Sequence, residues 1–185
     1  GKRDAHGVKV TKQRHQELRL VRDKKSIDET VDKIRERYNG IIRDLGIDFS
    51  LEEDLQAIKV AIMHHATQDY IASRGEFLNS KILAKFLGFQ FIDAEEGIFF
   101  DENGLLDIEK TDAELGRLLS YHEYAVIPGF YGATPAGMIK TFSRGGSDVT
   151  GSIVARAAEA DIYENWTDVS GMLMADPRCI DNPQP

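Results

Sequence analysis

The sequence predicts an α/β fold, a sheet flanked by helices, on three observations. Helical periodicities alternate with short apolar runs along all 185 residues, with no internal repeat and no low-complexity linker, so one continuous domain is expected. The short runs are rich in aromatic and β-branched residues and stop at Gly, Pro or Asn-Gly, as buried strands do. A glycine-rich corner, "SRGGSD" at 143–148, opens a helical pattern after one such run, at the place where α/β sheets hold their ligands.

Taken in order, Ile27, Val31, Ile34, Tyr38, Ile41 and Leu45 recur at spacings of three and four and predict an amphipathic helix over 26–44. Ser26 is its candidate N-cap, Glu29 completes a capping box and Gly46 stops it. The periodicity returns over 51–67 and 75–86, with Gly88 as a C-terminal glycine. "FQFIDAEEGIFF" fits strand or turn, and the Asn-Gly of "DENGL" predicts a tight turn between extended segments. A helix over 111–122 precedes "YAVIPGFYG", which reads as a buried strand running into a functional loop. A helix over 148–160 follows the corner, and "IYENWTDVSG" is a further strand candidate whose end carries Thr167 and Asp168.

Composition narrows the function. With 42% hydrophobic and 29% charged residues the chain is long enough for one sizeable core. A net charge of −8 argues against a broad nucleic-acid surface, which needs clustered Lys and Arg. The basic cluster from Lys9 to Lys25 reads instead as a solvated helix face. No run approaches the roughly 20 apolar residues of a spanning helix and the N-terminus lacks a secretory h-region, so no membrane partner and a cytoplasmic location are expected. Cys179 has no internal partner, in keeping with a reducing compartment. His64 and His65 are adjacent, point to different helix faces and lack metal-ligand spacing, so no structural metal is expected.

Three loops fall at the carboxyl ends of strand candidates: 129–132, 143–148 and 167–178. In the middle one, Gly145 and Gly146 let backbone approach a ligand, and the following helix offers unpaired N–H groups and a positive dipole end to an anion. Arg144 adds a planar fork suited to carboxylate or phosphate. Asp148 beside an anion site makes sense if it organises a cation, orients a lysine or binds an ammonium group. The plainer alternative is an ordinary turn with Ser147 or Asp148 as the helix N-cap.

Four segments together, "GKRDAHGVKVT", "SRGEFLNSKIL", "GFYGATPAGMIKTFSRGGSDVTGSIVA" and "WTDVSGMLMADPR", resemble the aspartokinases of the amino-acid kinase family, in the family's order and across nearly the whole chain. The resemblance implies a three-layer αβα sandwich with a mainly parallel sheet, incomplete at both ends. Residues 1–135 would belong mainly to the amino-acid lobe and 136–185 to the start of the nucleotide lobe. It implies ATP-dependent phosphorylation of the side-chain carboxylate of L-aspartate to 4-phospho-L-aspartate, the first step toward lysine, threonine and methionine. ATP and Mg²⁺ would be cofactors, with Mg²⁺ held mostly by phosphate oxygens and water, and the parent protein a homodimer.

Aspartate presents an ammonium and two carboxylates, so its pocket needs an anion and a bidentate cation. By the resemblance, Glu76 meets the amino group, Arg144 the α-carboxylate, and Thr11, Phe130, Gly145, Gly146 and Ser147 line the pocket. Singly, Glu76 also reads as a helix dipole partner, Phe130 as core and Thr11 as a cap. Asp148 and Arg144 would form the catalytic centre, Asp148 orienting a lysine that neutralises the transferring phosphoryl group. Thr167 and Asp168 would meet the adenosine end, Leu173 the base and Arg178 the phosphates.

The sequence departs from the family where Leu173 replaces the usual aromatic and Ser170 a usual proline, aspartate or glycine. It also lacks the family's opening Lys-Phe-Gly-Gly-Ser strand, so the segment alone is expected to be inactive. A sister kinase for another carboxylate substrate and a non-catalytic nucleotide- or amino-acid-binding paralogue are the alternatives.

Overall fold

The computed structural model describes residues 24–143 and 145–166. Its first helix, α1 (Lys24–Asp44), buries Ile27, Val31, Tyr38 and Ile42. It already includes Lys24 and Lys25, so Ser26 lies inside the helix and is not its N-cap. Lysine is a good helix former, and nothing local stops the helix at the box. Gly46 does end it, with φ +65° and bonds from Gly46 N–H to the Arg43 carbonyl (3.0 Å) and from Ile47 N–H to that of Ile42 (3.3 Å).

The pattern over 51–67 splits. Helix α2 (Glu52–Met63) stops where His65 turns left-handed at φ +61°, and α3 (Gln68–Leu87) starts at Thr67, whose hydroxyl accepts the Tyr70 N–H at 3.2 Å. Helix α3 therefore begins before the expected Gly75. Its early turns bury Ser73 and Arg74, whose polarity breaks the apolar periodicity. Gly88 closes it at φ +70°, as expected. Tyr38, Ile42, Leu55, Ile58, Leu78 and Ile82 from the three helices, with Leu51 just before α2, form one core cluster. Lys81–Asp54 at 2.7 Å and Arg35–Glu52 at 2.9 Å pin α2 to its neighbours.

The chain then alternates. Strand β1 (Gln90–Phe91) leads into the short helix α4 (Ala94–Gly97), started by a capping box between Asp93 and Glu96. The "DENGL" turn forms as expected, with Asp101 N–H bonded to the Leu105 carbonyl at 2.7 Å and Gly104 at φ +76°. Helix α5 (Ile108–Leu119), earlier than the expected 111–122, starts at the Asp107 cap and returns the chain to β2 (Ala125–Val126), parallel to β1. Strands β3 (Tyr131–Ala133) and β4 (Ile139–Thr141) form an antiparallel hairpin, joined to Phe99 by a parallel bridge at Ala133. The last element is α6 (Gly146–Ala157). This is the expected α/β fold, with part of its sheet in place. Of the strand candidate "IYENWTDVSG", residues 162–166 form no strand, with Ile162 and Trp166 78% and 89% exposed, and residues 167–171 lie outside the described residues.

A second core of Ala94, Ile98, Leu115, Tyr131, Ile139 and Ile153 lies beneath the hairpin and α6. Beside it, the Tyr131 hydroxyl donates to Asp93 Oδ1 at 2.6 Å. The buried Arg74 guanidinium sits 4.5, 4.4 and 5.4 Å from the ring centres of Tyr70, Phe77 and Tyr131. Burial, then the neighbouring Asp93 charge, raises the Glu95 carboxyl above its ordinary pKa, with Arg74 opposing. Burial and Asp93 likewise keep the Tyr131 hydroxyl protonated. No helix among the described residues is long and apolar enough to cross a membrane.

Gly132 is in the middle of β3, where an added Cβ would meet the Ile98 carbonyl oxygen at 2.4 Å. Gly132→Ala is expected to lower stability by about 1–3 kcal/mol, since backbone cannot yield as a side chain can. In α1, a Cβ on Gly40 would meet only the Arg43 side chain at 3.9 Å. Gly40→Ala is expected to add about 0.5–1 kcal/mol. Denaturant unfolding of the intact protein checks both, and equal midpoints would contradict the packing at β3.

Candidate active site

Beyond β2 the buried Pro128 delivers the chain to Gly129 and Phe130. Phe130 has φ +66°, a left-handed conformation that costs a non-glycine residue roughly 1–2 kcal/mol. Two backbone bonds hold it there: its N–H donates to Thr150 Oγ1 at 2.9 Å, and its carbonyl accepts the Phe142 N–H at 2.8 Å. Such strain persists only where the surroundings over-determine it, and it concentrates at functional sites.

The other half of the corner packs directly on this residue. A Cβ on Gly146 would fall 2.6 Å from Phe130 Cβ and 3.0 Å from Phe142 Cβ, so the first turn of α6 fits only because residue 146 has no side chain. Gly129 makes the same kind of approach to Ser147, where a Cβ would lie 3.3 Å from both Cα and Oγ. Thr150, buried one turn into α6, donates its hydroxyl to the Gly146 carbonyl at 2.8 Å. The loop and the helix start are one unit.

That helix start is open. Gly145, at φ +62°, is the N-cap and supplies no side-chain bond, while its carbonyl accepts the Val149 N–H at 3.0 Å. The plainer expectation, with Ser147 or Asp148 as the cap, is therefore not what forms: both sit in the first turn with exposed side chains. Among the described residues no side chain caps the N–H groups of this helix start, which lie at the positive end of its dipole.

Asp148 Oδ1 accepts a hydrogen bond from Asn165 Nδ2 at 3.1 Å. Asn165 arrives because the chain after α6 turns back along the helix: Tyr163 rests on Gly151, where a Cβ would meet its hydroxyl at 2.2 Å. An open cleft of about 1030 Å³ runs from Gly129 and Ser147 along the α5–α6 groove. Glu76 lies half-buried on α3, next to Gly75, whose carbonyl accepts the Tyr38 hydroxyl at 3.1 Å. Helix α3 packs on β4, the strand that leads into the corner, and Thr141 donates to Asp69 at 2.8 Å across that contact.

The structure thus brings Phe130, Gly145, Gly146, Ser147 and Asp148 into one corner and carries Glu76 on a helix packed against its approach strand. Thr11, Arg144, Thr167, Asp168, Leu173 and Arg178 lie outside the described residues. Sequence reasoning missed Thr150 and Asn165. A helical Thr four residues after a glycine, placed to bond that carbonyl, is a readable signal. Asn165 has none, because its role arises only when the chain doubles back along α6.

Among the described residues no group of three or more His, Cys, Asp or Glu side chains is placed to hold a metal ion.

Comparison with known proteins matches residues 5–185 to the amino acid kinase family. Aspartokinase 3 of Bacillus subtilis is 32% identical over 173 residues, covering 86% of this chain and 38% of the relative. The aspartokinase of Chlamydia muridarum is 29% identical over 164 residues, 82% and 38% respectively. In crystal structures, Clostridium acetobutylicum aspartate kinase matches all of this chain and 42% of its own at 45% identity and a TM-score of 0.82. E. coli aspartokinase III in complex with aspartate and ADP shares the fold at 21% identity and a TM-score of 0.73. The chain spans about two fifths of the length of these relatives. With its glycine corner, α/β topology and near-complete match, the chain belongs to the amino acid kinase family.

Proposed function

We propose that the chain serves an aspartate kinase, transferring the γ-phosphoryl group of ATP to the side-chain carboxylate of L-aspartate to give 4-phospho-L-aspartate and ADP. The observation that carries this reading is the uncapped α6 N-terminus locked against Phe130, a ready site for the α-carboxylate of an amino acid. The 45% identity to an aspartate kinase along the whole chain supports it, and so does the aspartate and ADP complex named for a second relative.

Each group then has a task. Arg144, immediately before the corner, grips the α-carboxylate with its planar fork while the N–H groups of the first α6 turn add fixed partial charge. Glu76 binds the ammonium group, and Thr11, Phe130, Gly145, Gly146 and Ser147 shape the pocket. Residues 1–135 supply mainly the amino-acid lobe and 136–185 the start of the nucleotide lobe. Asp148, exposed and steadied by Asn165, orients a cationic side chain toward the transferring group. Phosphoryl transfer asks a protein mostly for alignment and charge compensation, which suits a corner built of backbone and one carboxylate.

ATP fits Thr167, Asp168, Leu173 and Arg178. Mg²⁺ would accompany the nucleotide there and would supply charge neutralisation, with no dedicated protein cage required. In the intact protein the enzyme is a cytoplasmic homodimer of amino-acid biosynthesis.

The test is coupled ADP release by the intact protein with aspartate, ATP and Mg²⁺. Arg144→Ala is expected to raise the aspartate KM about 10- to 100-fold, the loss of a charge-assisted pair. Asp148→Ala is expected to lower kcat by about 10²-fold or more with a smaller change in KM. ADP release that aspartate does not stimulate would overturn the proposal.

The close approach at Gly146 gives a separate expectation. Gly146→Ala pushes Phe130 and the first α6 turn apart, so aspartate affinity, read by calorimetric titration of the intact protein, is expected to fall about tenfold or more. Unchanged affinity would mean that Phe130 takes no part in the pocket.

A further inference from the structure

We infer that Thr150 is a positioning residue of the amino-acid pocket, a single hydroxyl that joins its two halves and thereby sets affinity for the substrate. The inference rests on the aspartate-kinase reading for its substrate but on geometry for its mechanism. Thr150 touches the site from beneath and is 3% exposed. Its oxygen accepts the Phe130 N–H at 2.9 Å and donates its proton to the Gly146 carbonyl at 2.8 Å. One side chain therefore serves both the strained loop residue and the first residue of the helix whose N-terminus is proposed to hold the carboxylate.

The two bonds act together for a physical reason. A hydroxyl has one donor and free lone pairs, so giving its proton to Gly146 leaves an oxygen lone pair aimed at Phe130. Without that acceptor, the Phe130 N–H faces α6 with no partner, and the left-handed turn loses one of its two backbone anchors. Phe130 can then relax toward ordinary backbone angles, displacing its ring and, through the Gly146 contact, the helix start. Misplacement of about 1 Å in a positioning element is enough to alter binding severely.

Thr111 supplies a matched control within the same chain. It is also fully buried and accepts a backbone N–H, that of Phe99 at 3.0 Å, but it joins α5 to the segment bridged to Ala133 and bonds neither Phe130 nor Gly146. A general loss of stability from removing a buried hydroxyl should appear in both variants. A pocket effect should appear in only one.

The experiment compares wild type, Thr150→Val, Thr150→Ser and Thr111→Val of the intact protein by aspartate kinetics and by amide hydrogen exchange at Phe130. The expected result is an aspartate KM raised about tenfold or more in Thr150→Val with kcat within about threefold of wild type. Thr150→Ser should keep both constants, and Thr111→Val should leave KM unchanged. Phe130 exchange should be faster in Thr150→Val alone. A wild-type KM in Thr150→Val, a failure of Thr150→Ser equal to that of Thr150→Val, or an equal KM rise in Thr111→Val would each overturn the inference. Should Thr150→Val not fold, Thr150→Ala carries the same comparison. If wild type does not use aspartate, the substrate reading fails and exchange at Phe130 alone decides: faster in Thr150→Val supports the bridge, unchanged overturns it.

Discussion

The site depends on one close contact, the backbone of Gly146 against the Cβ atoms of Phe130 and Phe142. A methyl group at residue 146 would have to occupy space already held by two phenylalanines, so α6 can start where it does only with glycine there. That start fixes where the uncapped N–H groups and Asp148 emerge. It also fixes the left-handed turn at Phe130, because the Thr150 hydroxyl and the Phe142 N–H can both reach its backbone only when the helix is seated. Strain at Phe130, absence of a side chain at Gly146 and the buried hydroxyl are three parts of a single arrangement.

The rest of the fold holds that arrangement rigid. Tyr131, next to Phe130, is fully buried and anchored through its hydroxyl to Asp93, the residue that also starts α4. Arg74 stacks near the Tyr131 ring from α3, two residues before Glu76, so the helix that carries Glu76 and the strand that follows Phe130 share one buried charged group. Among the described residues one nitrogen of that guanidinium finds no hydrogen-bond partner, an expense sustained here by three aromatic faces and by the acidic groups around it. Sites built on such locked elements hold their geometry better than sites on free loops.

Much of this was legible from local chemistry. Gly46 and Gly88 end helices because only glycine enters the left-handed region cheaply, and the Asn-Gly turn forms for the same reason. The glycine corner was legible as the start of a helix, and Asp148 as a residue of its first turn. The misses have physical causes. His65 ends α2 in a left-handed conformation that its residue type does not announce. The start of α3 was hidden because its buried face uses Ser73 and Arg74 in place of apolar residues. The capping box of α4, Asp93 with Glu96, was present in the sequence but overshadowed by the aromatic run around it. Residues 162–166 have the composition of a strand, yet a strand needs a paired neighbour, which composition alone does not provide. Arg144 and the proposed nucleotide residues lie outside the described residues.

The central claim is that an amino-acid carboxylate is held at the open N-terminus of α6. A crystal structure of the intact protein with aspartate bound tests it most directly. The account predicts the α-carboxylate within hydrogen-bond distance of the backbone N–H groups of the first α6 turn and of Arg144, with the ammonium group on Glu76. Aspartate seated elsewhere, with that helix turn bare, would contradict it.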